Sequence, residues 1–172
     1  MRRVLIFAIA ALALVVLVGV VYIRSVGHDP TLWHVDPLDA PTPDSPNSFR
    51  VAPVLHGYEP VTAERIDAPA PIYDANPAII AQALDQFVLS QPRVERVAGT
   101  PETGWMTYVA RSETMRYPDC ISILLLDLGE GLSTVAIFSR SRFGYGDLGV
   151  NRARVEAWLK TLTSFETELP GS

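Results

Sequence analysis

The sequence predicts an α+β chain: an N-terminal single transmembrane helix, followed by a two-layer sandwich of one antiparallel four-stranded sheet and two helices. Three observations predict it. Twenty residues from Val4 to Ile23 contain neither a charge nor a proline. Ten of the fourteen prolines fall between Pro30 and Pro77. Beyond them the pattern runs helix, four strand-like segments, helix, the order of an α+β domain. The boundaries read as 1–24 for the anchor, 25–75 for a proline-rich tether partly packed on the domain, and 76–172 for the globular domain. A chain of 172 residues has room for one such domain.

The anchor comes first. At ~1.5 Å per residue, a helix over Val4–Ile23 is about 30 Å long, the thickness of a bilayer core. Arg2 and Arg3 precede it, Arg24 follows, and no acidic residue occurs before Asp29. The excess of positive charge on the N-terminal side puts the N-terminus in the cytoplasm. The domain then lies in the periplasm or its equivalent, held by a single pass through the inner membrane, with membrane lipid around residues 4–23. A cleaved secretory signal is the competing reading. Its apolar core would run ~7–15 residues and end in a small-x-small site. Here the run is longer, and the only such site, Ser25-Val26-Gly27, lies beyond Arg24.

The tether should be extended and irregular, because proline fixes φ, removes a donor and biases its predecessor away from helix. Trp33, Leu38, Phe49, Val51, Val54, Leu55 and Tyr58 are too many large apolar groups for a solvated linker. Part of it, Phe49 to Val61, is therefore expected to lie along the domain. His28, His34, Asp36, Asp39 and His56 are metal-type ligands, but no pair has helical spacing and prolines separate them. They read as surface polar residues plus hydrogen-bonded histidines, with no metal and no cofactor.

Asn76-Pro77 opens the first domain helix, since Asn caps and Pro suits the first turn. Ile79, Ile80, Ala83, Leu84 and Phe87 form its apolar face, and Pro92 limits it. The strand-like segments are Arg93–Ala98, Trp105–Ser112, Ile121–Leu128 and Ser133–Arg142. Gly99–Gly104 and Gly129-Glu130-Gly131 link them, the latter a hairpin signal. Leu124-Leu125-Leu126 breaks alternation, which marks a central strand. The last helix follows Asp147 with Leu148, Val155, Trp158, Leu159 and Leu162 inward, and Arg152, Arg154, Glu156 and Lys160 off that stripe. Trp105 and Trp158 read as core.

Charge and cysteine content exclude several function classes. Residues 24–172 hold all nineteen acidic residues and twelve of the fourteen basic ones. A net-acidic body is unsuited to nucleic acid, which needs a basic surface. The single cysteine, Cys120, excludes an intramolecular disulfide and a multi-cysteine metal centre; at the start of an apolar strand it reads as a buried, inert thiol. No dinucleotide, P-loop or nucleophile-elbow motif is present.

The densest signal is the run Ser139-Arg140-Ser141-Arg142-Phe143-Gly144-Tyr145-Gly146-Asp147-Leu148-Gly149-Val150-Asn151-Arg152-Ala153-Arg154-Val155-Glu156. It resembles the signature of the family catalogued as domain of unknown function 1499. Trp33-His34-Val35-Asp36-Pro37 and Ser45-Pro46-Asn47 are similar to that family's proline-rich entry, with Ser48 where a cysteine often follows. Tyr117-Pro118-Asp119-Cys120 is similar to its F-P-D-D step, with Cys120 replacing the second acid. The resemblance spans roughly residues 33–162. It implies a small membrane-associated or exported domain and no established reaction.

The chemistry of these residues allows three readings. Arg140 and Arg142 share one strand face with Phe138, while Ser139 and Ser141 share the other with Ile137. Asp147 is placed to cap the last helix, and Asn151 falls on its inward stripe, where an amide needs partners or costs roughly 1–3 kcal/mol. In the first reading Arg140, Arg142, Arg152 and Arg154, with free amides at the helix N-terminus, accept an anion. The ligand would be a small molecule, a lipid head group or an acidic protein surface, with Ser139, Ser141, Asp119, Asp147 and Asn151 around it. In the second the same corner is internal: Arg140 or Arg142 pairs with Asp147 or Asp119, and Asn151 pins the turn. The third is a hydrolase-like enzyme using Asp119 with Ser139 or Ser141; it requires a carboxylate and a serine on one pocket. A binding or interaction module is favoured over an enzyme.

Overall fold

In the computed structural model, which describes residues 2–58 and 65–169, the uncharged run forms helix α1 (Arg2–Ser25). No residue of α1 is buried, and it is long and apolar enough to cross a membrane. A one-turn helix, α2 (Pro30–Trp33), follows, with the Asp29 carboxylate accepting from the Thr31 amide at 2.9 Å. Three short strands then arise within the proline-rich stretch: β1 (Ser48–Ala52), β2 (Ala68–Pro69) and β3 (Ile72–Tyr73).

Helix α3 (Pro77–Ser90) begins where the capping pair predicts, the Asn76 side chain accepting from the Ala78 amide at 3.0 Å. Its buried face is Ile80, Ala81, Leu84 and Val88, whereas Ile79 is half exposed. The inward stripe is thus rotated slightly from the expected one. Strands β4 (Val94–Thr100), β5 (Trp105–Arg111), β6 (Pro118–Gly129) and β7 (Leu132–Ser141) form an antiparallel meander. Gly99 must be glycine: at φ +71° an added Cβ would lie 1.8 Å from the Trp105 carbonyl oxygen. Glu130 and Gly131, both at positive φ, close the β6–β7 hairpin with the left-handed turn that matches strand twist. Strand β6 is flanked by β5 and β7, the central place its unbroken leucines predict.

The sheet has eight strands, not four, in the order β2-β1-β7-β6-β5-β4. β3 pairs with β7 beside β1, and β8 (Glu166–Thr167) pairs with β3. It is not wholly antiparallel either, since β1 and β2 run parallel. The physical reason is the outer edge of β7. Left alone, it would present a row of unpaired amides and carbonyls. β1 covers the stretch Ile137–Arg140, and β3 covers Ser133 and Thr134. The tether therefore packs on the domain at Phe49–Ala52 as strand, while residues 59–61 of the expected segment lie outside the described residues.

One sheet face carries Phe49, Val51, Met106, Tyr108, Ile121, Ile123 and Ile137, all buried under α3 and under α4 (Val150–Lys160). Trp158 of α4 meets Tyr108 edge-on, with centroids 6.1 Å apart. Leu148 is not part of this core: it precedes α4 at φ +55° and is fully exposed. The opposite face lies under residues 33–40. There His34 bonds the Thr107 hydroxyl at 2.9 Å and stacks on Trp105 at 4.1 Å, so Trp105 is a half-buried partner of the tether rather than core.

Candidate functional site

The sheet divides the nine candidate residues between its two sides. On the helix side, Asp119 of β6 lies opposite Ser141 of β7, and Ser139 is next along the same face. Asn151, in the first turn of α4, is completely buried among them. Ser139 Oγ donates to Asn151 Oδ1 at 2.6 Å, and Asn151 Nδ2 donates to Ser141 Oγ at 3.1 Å and to the Asn47 carbonyl at 2.9 Å. Arg154 Nη1 donates to Asn151 Oδ1 at 2.9 Å, and its Nη2 donates to Asp119 Oδ2 at 2.7 Å. The inward amide is therefore saturated, and a mostly covered ion pair ties α4 to β6. Asn47 completes the node by donating to the Gly144 carbonyl at 2.8 Å.

The partner of Asp119 is thus Arg154, not Arg140 or Arg142. Strand alternation gives the reason. Asp119 and Ser141 face the helices, so Arg140 and Arg142 point to the other side. Arg154, expected off the inward stripe, reaches back over the first turn of α4. Asp147 makes no ion pair among the described residues; it accepts from the amides of Gly149 at 3.1 Å and Asn151 at 2.8 Å. Partial burial raises its carboxyl pKa, but these backbone donors outweigh that and hold it below the ordinary value. Arg152 stands apart at the surface, over the Phe49 ring and 3.4 Å from Glu156.

On the tether side, cations and rings alternate in a column. Arg50, buried in β1, lies 4.0 Å from the Phe138 centroid; Arg140 lies between Phe138 at 5.1 Å and Trp33 at 5.4 Å; Arg142 lies between Trp33 at 5.2 Å and Phe143 at 5.5 Å. Such contacts contribute about 0.5–2 kcal/mol each, more where water is excluded. Arg140 also donates to the Trp33 carbonyl at 3.0 Å, and Arg50 to the Ala40 carbonyl. Burial first, then the nearby Arg140 charge, pulls the Arg50 pKa down to about 10. Neither Arg50 nor the column was visible as a site in the sequence; the signal that could have found it is arginine alternating with Phe138 and facing aromatic residues of the tether. Cys120 is buried, and desolvation pushes its thiol up to about 12.

A third group of arginines grips the end of α1. Arg111 donates to the carbonyls of Ile23 at 3.3 Å and Val26 at 2.8 Å, and Arg142 donates to that of Gly27 at 2.6 Å. Arg24 donates to the Thr114 carbonyl at 2.9 Å, and Tyr22 meets Phe143 edge-on. Terminal helix carbonyls carry partial negative charge, and arginines are suited to receive them. His28 sits here as well: burial foremost, then the charges of Arg111 and Arg142, lowers its pKa to about 4. Among the described residues no three His, Cys, Asp or Glu side chains converge on a metal-sized site.

Asp119 and Ser141 also border a cleft of about 610 Å³, whose other walls include Ile23, Tyr117, Phe143 and Leu148. A carboxylate and a serine therefore do share one cavity. Ser141 Oγ, however, accepts from Asn151, and the Asp119 carboxylate is taken by Arg154.

The chain belongs to the family described as Protein of unknown function (DUF1499), which matches residues 40–162. The matched stretch includes the whole 139–156 run and begins after Trp33-His34-Val35-Asp36-Pro37. No curated protein and no solved structure matches the chain.

Proposed function

We propose that this chain is a single-pass inner-membrane protein, with its N-terminus cytoplasmic, whose periplasmic domain acts as a binding or interaction module at the membrane surface. The observation that carries this reading is the join between α1 and the domain. An apolar helix with no buried residue has the Ile23 carbonyl of its last turn and the Val26 and Gly27 carbonyls just beyond it held by Arg111 and Arg142. A discarded leader has no need of such a grip, which favours an uncleaved anchor over a signal. Arg2 and Arg3 ahead of the span favour the orientation.

Within this reading the 139–154 corner is an internal lock. Asn151 and the Arg154–Asp119 pair fasten α4 to β6 and β7, and Arg140 lies under Trp33. The hydrolytic alternative draws on one observation, the cleft shared by Asp119 and Ser141. Against it, the serine has no base within hydrogen-bonding distance among the described residues.

Fractionation of cells expressing the full chain with a C-terminal tag tests the proposal. The 18.8 kDa species should stay with membranes through an alkaline wash and lose its tag to protease added outside spheroplasts. A shorter mature chain, release by alkali, or protection of the tag would overturn it.

A further inference from the structure

We infer that the end of the domain nearest α1 holds the phosphate of an anionic phospholipid head group in a cavity formed by Arg24, Arg93, Arg111 and Arg116; this rests on the anchor reading above. The cavity measures about 390 Å³, and Val94 and Glu95 complete its lining. Four guanidinium groups against one carboxylate leave it strongly positive. Among the described residues, none of the four arginines has a carboxylate within ion-pair distance.

Their hydrogen bonds go to neutral groups instead. Arg24 bonds the Thr114 carbonyl, Arg93 that of Arg111 at 3.3 Å, and Arg111 those of Ile23, Val26 and Arg116. Carbonyls position a guanidinium without cancelling its charge. The Arg116 guanidinium donates to nothing among the described residues. Planar forks of this kind match phosphate oxygens two at a time.

A second observation is independent of charge. Arg93 and Arg116 both adopt the left-handed backbone, each at φ +62°. That region is uncommon for a residue with a Cβ, and such strain gathers at binding sites. The chain holds both arginines in a conformation that a glycine would adopt more readily.

Position selects a lipid as the source of the phosphate. Arg24 is the first charge after Val4–Ile23, so a cavity that includes it opens where the apolar span ends, at the depth of the head groups. The apolar cleft with Ile23, Tyr117, Phe143 and Leu148 in its walls also adjoins the end of α1. Tyr145 and Leu148 stand out from the same end, 78% and 102% exposed. Exposed tyrosine and leucine at the same end of α1 as a cationic cavity suit the boundary between head groups and acyl chains.

The test uses the full chain in nanodiscs of phosphatidylcholine alone or mixed with equal phosphatidylglycerol. Lipids retained by the protein on release are counted by native mass spectrometry. The wild-type chain should retain phosphatidylglycerol over phosphatidylcholine by on the order of tenfold. The R93Q/R116Q variant should lose that preference, and R93K/R116K should keep most of it, with all three resisting alkaline extraction. Equal retention by wild type and R93Q/R116Q overturns the head-group site while leaving the anchor reading standing. Release of every variant by alkali overturns the anchor reading itself. Inorganic phosphate added to phosphatidylcholine discs is the control for a free anion. If it raises the melting temperature of the wild type as much as phosphatidylglycerol does, the lipid assignment falls.

Discussion

Arg154 and Arg116 are both arginines at the α1 end of the domain, and they do opposite things with their charge. Arg154 meets Asp119 at 2.7 Å under α4, so its charge is neutralised where it sits. Arg116 has no carboxylate partner among the described residues and, with Arg24, Arg93 and Arg111, keeps its charge in the lining of a cavity. Counting arginines along a sequence therefore does not locate an anion site. An arginine paired with a carboxylate is a fastener; an arginine positioned by carbonyls remains a cation with spare donors.

Breaking the fastener should have the largest effect. D119A leaves the Arg154 guanidinium largely covered and unpaired, and should cost about 3 kcal/mol in urea unfolding. N151A removes the amide shared by Ser139, Ser141, Arg154 and the Asn47 carbonyl, and should cost about 2 kcal/mol, with hydrogen exchange rising first at the start of α4. Neither change should alter lipid retention. On the other side, R142Q removes the bond to Gly27 and two ring contacts. It should cost about 1 kcal/mol and speed exchange of the amides between α1 and α2.

The smallest effect is a pH dependence at the same join. His28 is neutral in the folded chain with its pKa lowered to about 4, while the unfolded chain takes up the proton near the ordinary 6.5. The unfolded state then binds more protons, so this contribution is complete above pH 6.5 and is lost as pH falls toward 4. The urea midpoint of H28Q should therefore vary less than that of the wild type across that window. Parallel curves for the two would show that His28 is solvated like an ordinary histidine.

Much of the fold was legible because its signals are local. The uncharged run of α1, the Asn76-Pro77 cap of α3 and the Gly-Glu-Gly hairpin each lie within a few residues, where periodicity and turn chemistry act. Strands β1, β2, β3 and β8 were not legible. Two to five residues long, they exist because β7 has an edge to cover, and that is a property of the assembled sheet. The candidate residues were legible as a group, but their partners were not. Whether Asp119 meets Arg154 or Arg140 depends on the β6–β7 register, which places Asp119 opposite Ser141. The left-handed backbone at Arg93 and Arg116 carries no mark in the sequence at all, since neither residue is glycine, asparagine or aspartate.

The most direct measurement compares lipid retention by R93Q/R116Q with that by D119A/R154A, two variants that each remove arginine charge from the same end of the domain. The first should lose its preference for phosphatidylglycerol while the second, though less stable, keeps it. Loss of the preference in the second with retention in the first would contradict it, and would return the anion site to the corner where α4 meets the sheet.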